Sequence, residues 1–307
     1  MNTKFIHIGC HKCGSTFIQG EVLPKLKHIT PVSFMEGHPV AEDMDYLVQC
    51  GELYYDTHKA EDGIQAKLKA SSNICLSSEA LSGTGVGVLG AGHQIPHIAS
   101  RLRRVFGEVP VLILIRNQKS AIESLYKDDV KYGFLMDYEG WFTSRTNSQQ
   151  LNYFKYSPLI ECYQKCFGEQ NVKVFLFEEL FSRKTIETIL QDFDIEHEGM
   201  DDIDFNRKFN DAYSSPSLIV ARWVNRLFGS KLTYGVGIGR DPGLRAYNFW
   251  RYSLSRKVDT MAEKWNVPKP KYDFKGYGKL LRGLFQEDNK RTEKLTGKQL
   301  KAHGYIV

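Results

Sequence analysis

The sequence predicts an α/β fold, a three-layer sandwich in which a central parallel sheet is flanked by helices. Three observations predict it. Short apolar runs at residues 4–9, 73–77, 111–115 and 172–177 read as buried strands. Segments of helical periodicity lie between them, and that alternation calls for parallel strands covered on both faces. The first run also turns at once into a Gly- and Ser/Thr-bearing loop and then a helical pattern.

In order, Lys4-Phe-Ile-His-Ile-Gly9 is the first strand and Cys10-His-Lys-Cys-Gly-Ser-Thr16 the loop after it. A short helix over 16–28 buries Phe17, Ile18, Val22 and Leu26, with Pro24 disturbing its later part. Residues 30–62 are mixed and polar, with Tyr46, Leu47, Leu53 and Tyr54 as expected packing points. A helix over 63–70 leads to the second strand, Asn73–Ser77, which runs into Ser78-Glu79. After the glycine-rich run Gly83–Gly92, a helix over 94–106 turns Ile95, Ile98, Leu102, Val105 and Phe106 inward, and Gly107 stops it. Val111-Leu-Ile-Leu-Ile115 is the strongest strand, since five consecutive apolar residues imply burial on both faces. It ends at Arg116-Asn117, and a helix over 118–131 follows with Ala121, Ile122, Leu125 and Val130 inward.

A helix over 150–167 is closed by Gly168, then comes the strand Val172–Phe177 and a helix carrying Ile186, Ile189, Leu190 and Phe193. Ser215-Pro216 opens another helix as cap and first position, burying Leu218, Val224, Leu227 and Phe228. Residues 229–250 are Gly- and aromatic-rich without periodicity, and the tail from Glu287 to Tyr305 reads as a short helical packing piece. No repeat or low-complexity linker divides the chain, so a single domain over 1–307 is expected.

Composition bounds the function. The chain has 307 residues, 42% hydrophobic and 25% charged, with a net charge of +5. That balance is ordinary for a globular protein and does not suggest nucleic acid as a partner. Between Arg207 and Lys257 ten Lys/Arg stand against Asp211 and Asp241, a local +8 that leaves −3 on the rest. Such a segment suits an anionic partner or a solvated basic face. The first apolar run is too short for a secretory leader, and no stretch approaches the ~20 apolar residues of a membrane helix. The six cysteines are too sparse for a disulfide framework. A cytoplasmic protein with reduced thiols and no stable membrane insertion is expected.

Ligands of open parallel sheets bind beyond the C-terminal strand ends. Three such ends carry chemistry: Lys12, Ser15 and Thr16 after the first, Glu79 after the second, Arg116 after the third. The first loop has the makings of a phosphate cradle, with backbone N–H groups at a helix start and a lysine beside them. It is not a Walker A loop, which places Lys after its second Gly; here Lys12 precedes Gly14. Ser124 lies eight residues past Arg116, two turns into the next helix. His7 and His11 are alternative bases to Glu79, His7 fitting better as a packed core histidine.

These stretches resemble the sulfotransferases that use 3′-phosphoadenosine 5′-phosphosulfate (PAPS), of the bacterial or glycan-directed type. Ile8-Gly-Cys-His-Lys-Cys-Gly-Ser-Thr-Phe17 is similar to their 5′-phosphosulfate loop, and Leu114-Ile-Arg116 through Ser124-Leu-Tyr126 to their 3′-phosphate element. Leu76-Ser-Ser-Glu79, Phe177-Glu-Glu-Leu180 and His303-Gly-Tyr305 also fit. His11 stands where the family usually has Pro, and Cys13 where Ser, Thr or Ala is common. The resemblance implies a P-loop-NTPase-like fold, a donor-binding core over about 1–195 and an acceptor side over about 205–257. It implies metal-free in-line transfer of a sulfuryl group from PAPS to a hydroxyl, leaving adenosine 3′,5′-bisphosphate. Lys12, Cys13, Gly14, Ser15, Thr16, Phe17, Arg116 and Ser124 would bind the donor, and Lys12, Glu79 and His11 would be catalytic, with Glu79 as base. The aromatics of the basic segment, Trp223, Tyr234, Tyr247, Trp250 and Tyr252, suit a glycan or glycolipid acceptor first and a small alcohol or phenol second.

Other readings compete. Gly85-Val-Gly87-Val-Leu-Gly90 matches the dinucleotide fingerprint of an oxidoreductase, but seven residues separate it from its strand. Cys10-His-Lys-Cys13 matches a redox motif. A nucleotide-binding or interaction module without turnover is the non-enzyme alternative.

Overall fold

Five strands, β1 (Thr3–Gly9), β2 (Thr30–Ser33), β3 (Ile74–Ser78), β4 (Val111–Ile115) and β5 (Val172–Leu176), form one all-parallel sheet in the order β2-β3-β1-β4-β5. The computed structural model describes residues 2–33, 38–83, 92–131, 133–207, 215–228, 253, 257–261, 264–266 and 275–307. β3 and β4 are buried along their whole length, as continuous apolar runs in a covered parallel sheet must be. Helices flank the sheet: Ile95–Phe106 packs against Tyr156–Phe167, which lies over β4 and β5.

The sheet order places the candidate chemistry. The chain leaves β1 toward β2 and β3 on one side, then crosses to β4 and β5 on the other. β1 and β4 therefore flank the point where the winding reverses, the place beyond the C-terminal strand ends at which such sheets bind ligands. His7 is in register with Ser77 and Leu112, and Ile8 with Ser78 and Ile113. The loops after β1, β3 and β4 thus leave the sheet side by side.

The structure differs from the expected elements in several places. β2 falls in the stretch expected to be irregular. It is a four-residue edge strand whose Pro31 donates no ladder bond, tolerable only at an edge. Helices Ala41–Gln49, Thr57–Leu68 and Tyr138–Asn147 extend or add to the expected set. Met44, Leu47 and Val48 are buried, but Leu53 and Tyr54, expected to pack, are 85% and 78% exposed on the short turn Glu52–Tyr54. The expected helix over 150–167 breaks at Lys155. Asp288 then caps the second piece from outside, accepting from Tyr156 N–H at 2.8 Å and from the Ser157 hydroxyl at 2.6 Å. The tail is one helix, Gly278–Thr296, rather than a short piece.

The chain divides into two compact units, one of Met1–Gln118, Asn152–Phe209 and Lys279–Val307, the other of Lys119–Leu151 and Asn210–Gly278. The first holds the sheet. In the second, Arg145 Nη2 and Trp141 Nε1 both donate to Asp129 Oδ2 at 2.7 Å. Tyr126 meets Tyr138 and Trp141 edge-on, and Asn225 Nδ2 donates to Val130 O at 2.9 Å.

Candidate active site

The loop after β1 is shaped by two glycines and a lysine. A Cβ on Gly9 would lie 1.8 Å from Ser15 Oγ, so the strand end and the helix start touch through the absent side chain. Gly14 has φ 92, a left-handed conformation that glycine adopts without cost, and a Cβ there would also meet Leu180 at 2.7 Å. Lys12 takes φ 68 despite its side chain. That costs roughly 1–3 kcal/mol and marks a loop held by its surroundings. The helix beginning at Ser15 widens after one turn, Leu23 N–H donating to Ile18 O at 2.9 Å, a five-residue step often found at functional sites.

Arg116 closes this loop from the neighbouring strand. Its Nη1 donates to Lys12 O at 2.8 Å, and its guanidinium lies 4.0 Å above the Phe177 ring. The Tyr156 hydroxyl donates to Arg116 O at 2.6 Å. Asn117, the next residue, donates its N–H to Glu178 and its side-chain amide to His303 O. Tyr305 Oη donates to Glu178 Oε2 at 3.2 Å, so the Phe177–Leu180 and His303–Tyr305 stretches meet behind Arg116.

On the other side of β1, Glu79 Oε2 lies 3.2 Å from His11 Nδ1. The other ring nitrogen of His11 faces Gly83 O at 3.4 Å. Both ring nitrogens thus face oxygen atoms. Burial pushes the Glu79 carboxyl upward, but the hydrogen bond and charge of His11, the charge of Lys12 and the nearby Ser15 outweigh it and hold it below the ordinary value. Ser15 Oγ itself is buried and closes no hydrogen bond of ordinary geometry.

Gly9–Thr16, Glu79 and Arg116 are therefore brought together at the C-terminal ends of the three central strands. Lys12 is half-buried and Thr16 exposed. Phe17 is buried, its ring against Phe181 and Phe205. Cys13 is buried as well, and burial pushes its thiol well up, which makes it an inert packing residue. All six cysteines are free thiols. Ser124 lies half-buried on the helix Gln118–Lys131, in the second unit.

His7 is no base candidate. It is fully buried, its Nδ1 is 2.7 Å from Ser77 Oγ, and burial lowers its pKa to about 4. The reading of the sequence did not single out Tyr153 or Ser82. His11 N–H donates to Tyr153 Oη at 3.0 Å, and Tyr153 Oη is 2.6 Å from Ser82 Oγ. The partners of Tyr153 are 71 and 142 residues away, and the only nearby partner of Ser82 is Glu79 O, a contact any turn serine can make, so no local signal marks either residue. The Gly85–Gly90 fingerprint lies outside the described residues, as do Tyr234, Tyr247, Trp250 and Tyr252.

Among the described residues, one group with metal-ligand chemistry, His28, Glu196 and Glu198, lies exposed near the N-terminal edge of β2, and Lys27 already pairs with Glu198 at 2.6 Å. No described helix is long and apolar enough to cross a membrane. No protein-family model and no curated protein matches the chain. Among solved structures, the crystal structure of a sulfotransferase from Alicyclobacillus acidocaldarius is similar at a TM-score of 0.42 and 16% identity, over 68% of this chain and 87% of that one. A likeness of that size carries no function.

Proposed function

We propose that the chain is a sulfotransferase that moves a sulfuryl group from PAPS to a hydroxyl of an acceptor, with a glycan or glycolipid as the first acceptor class. One observation carries the reading: Arg116 Nη1 is bonded to the carbonyl of Lys12, joining the β4 end to the β1 loop beside the Glu79–His11 pair. Two cations, a buried serine hydroxyl and a carboxylate at neighbouring strand ends suit an anionic donor facing a hydroxyl acceptor. The sequence pattern of the loop, with Lys ahead of Gly14, separates it from an NTP site.

In this reading Lys12, Ser15, Thr16 and the backbone of Cys13, Gly14 and Phe17 hold the 5′-phosphosulfate. Arg116 holds the 3′-phosphate, its planar fork matching phosphate geometry. Ser124 joins it on the sequence pattern alone. PAPS supplies the activated sulfuryl group. Glu79 accepts the acceptor's proton as the acceptor oxygen bonds to sulfur and the donor's bridging S–O bond breaks. His11 orients the Glu79 carboxylate, and Lys12 meets the charge that grows on the leaving oxygen. A carboxylate held below its ordinary pKa is ionised at neutral pH, the form that a base requires. The acceptor class rests on the basic, aromatic composition of 207–257, in which Trp223 is 64% exposed. The single-domain organisation is part of the same proposal.

Calorimetry with adenosine 3′,5′-bisphosphate and with adenosine 5′-monophosphate tests the donor site: the bisphosphate binds and the monophosphate binds far more weakly. Equal affinity would sink the 3′-phosphate assignment. Transfer of labelled sulfate to a glycan panel then separates enzyme from binding module. Glu79→Gln keeps bisphosphate binding and loses roughly 10²–10⁴-fold in transfer.

A further inference from the structure

The Glu79–His11 pair is carried by the single turn Glu79–Ser82 after β3 and by the loop after β1, whose strands pair as far as Ile8 and Ser78. Beyond that ladder, side chains fix the two backbones. His11 N–H donates to Tyr153 Oη at 3.0 Å; Tyr153 Oη is 2.6 Å from Ser82 Oγ; Ser82 Oγ is 2.8 Å from Glu79 O and 3.1 Å from Gly9 O. An amide can only donate and a carbonyl only accept. The protons in between therefore run one way: His11 N–H to the Tyr153 hydroxyl, Tyr153 O–H to Ser82, Ser82 O–H to the Glu79 carbonyl.

We infer that Tyr153 and Ser82 are positioning residues that set the Glu79–His11 pair through this one-way relay of hydrogen bonds. The inference rests on the reading of Glu79 as base. Tyr153 is 6% exposed and Ser82 fully buried, so each bond acts in a low-dielectric interior where a missing partner is expensive. Burial pushes the Tyr153 phenol well up, keeping the proton the relay needs. The Tyr153 ring also stands 5.7 Å from the His11 ring, tilted by 49°, and limits where the imidazole can turn. The relay ties the ends of β1 and β3 to a residue from a third, distant part of the chain.

The test uses the full chain and two readouts, the Glu79 carboxyl titration followed by ¹³C NMR and steady-state sulfuryl transfer. The groups acting on Glu79 are His11, Lys12 and Ser15 from the β1 loop, together with His7 and the buried Cys13. Tyr153→Phe keeps the ring and removes the relay; Ser82→Ala removes it from the other end. Each is expected to move the Glu79 midpoint up by about 0.5 pH unit as His11 loosens. Each lowers kcat about tenfold with donor KM within about twofold, the mark of lost alignment rather than lost binding. Ile186→Val, a buried methyl deletion on helix Arg183–Asp192, moves neither. A Glu79 midpoint that stays in place in both relay variants overturns the inference, whatever the activity. A midpoint that moves in a protein showing no sulfuryl transfer upholds the relay and overturns the proposed reaction instead.

Discussion

Acid should weaken this protein through one residue on the strand that feeds the candidate site. His7 is fully buried in β1, and burial lowers its pKa from the ordinary 6.5 to about 4. The folded protein thus refuses a proton that the unfolded chain accepts between those two values. Stability carried by neutral His7 is fully present above pH ~6.5 and is lost as pH falls toward ~4. At about 1.36 kcal/mol per pH unit, roughly 2.5 kcal/mol should disappear between pH ~7.5 and ~4.5. That is a large share of a total stability of about 5–15 kcal/mol. The perturbation is His7→Gln, whose amide can still reach Ser77 Oγ but does not titrate. Urea unfolding of both proteins at the two pH values gives four free energies, and the difference of differences isolates His7 from other acid-sensitive groups. Wild type should lose about 2.5 kcal/mol more than the variant. Equal losses would refute the claim that His7 is held neutral by burial.

Two further outcomes bear on the loop. Arg116→Lys removes the fork that bonds Lys12 O and the plane that covers Phe177, and a charged hydrogen bond is worth about 1.5–3 kcal/mol. Calorimetry should therefore show adenosine 3′,5′-bisphosphate binding weakened by roughly 10–100-fold, with the fold retained by circular dichroism. Gly9→Ala puts a methyl 1.8 Å from Ser15 Oγ, so the helix start must shift. Bisphosphate binding should be lost and stability should fall by about 1–3 kcal/mol; an alanine variant with native affinity would disprove the close contact as a determinant.

Much of the frame is legible in the chain. The strands at β1, β3, β4 and β5 show because covered parallel strands are continuous apolar runs, and nothing else in this sequence concentrates five such residues as Val111–Ile115 does. β2 does not show, because a four-residue edge strand containing Pro31 has neither the length nor the pattern. Lys12, Glu79 and Arg116 stand out by position, a charge directly after a buried run. The exposure of Leu53 and Tyr54 is not legible, since hydrophobicity does not say which side of a short turn meets the core.

By itself, the sequence determined that the protein is a parallel α/β fold with polar residues at three strand ends, because periodicity and local turn chemistry are properties of neighbouring residues. Only the tertiary structure decided that β1 lies between β3 and β4, and so that those three ends are adjacent. It alone brought His11 against Glu79, set Arg116 on the Lys12 carbonyl and joined Tyr153 to Ser82. Those contacts span 68 to 104 residues, and a hydrogen bond depends on where two atoms stand in space, not on how far apart they lie along the chain.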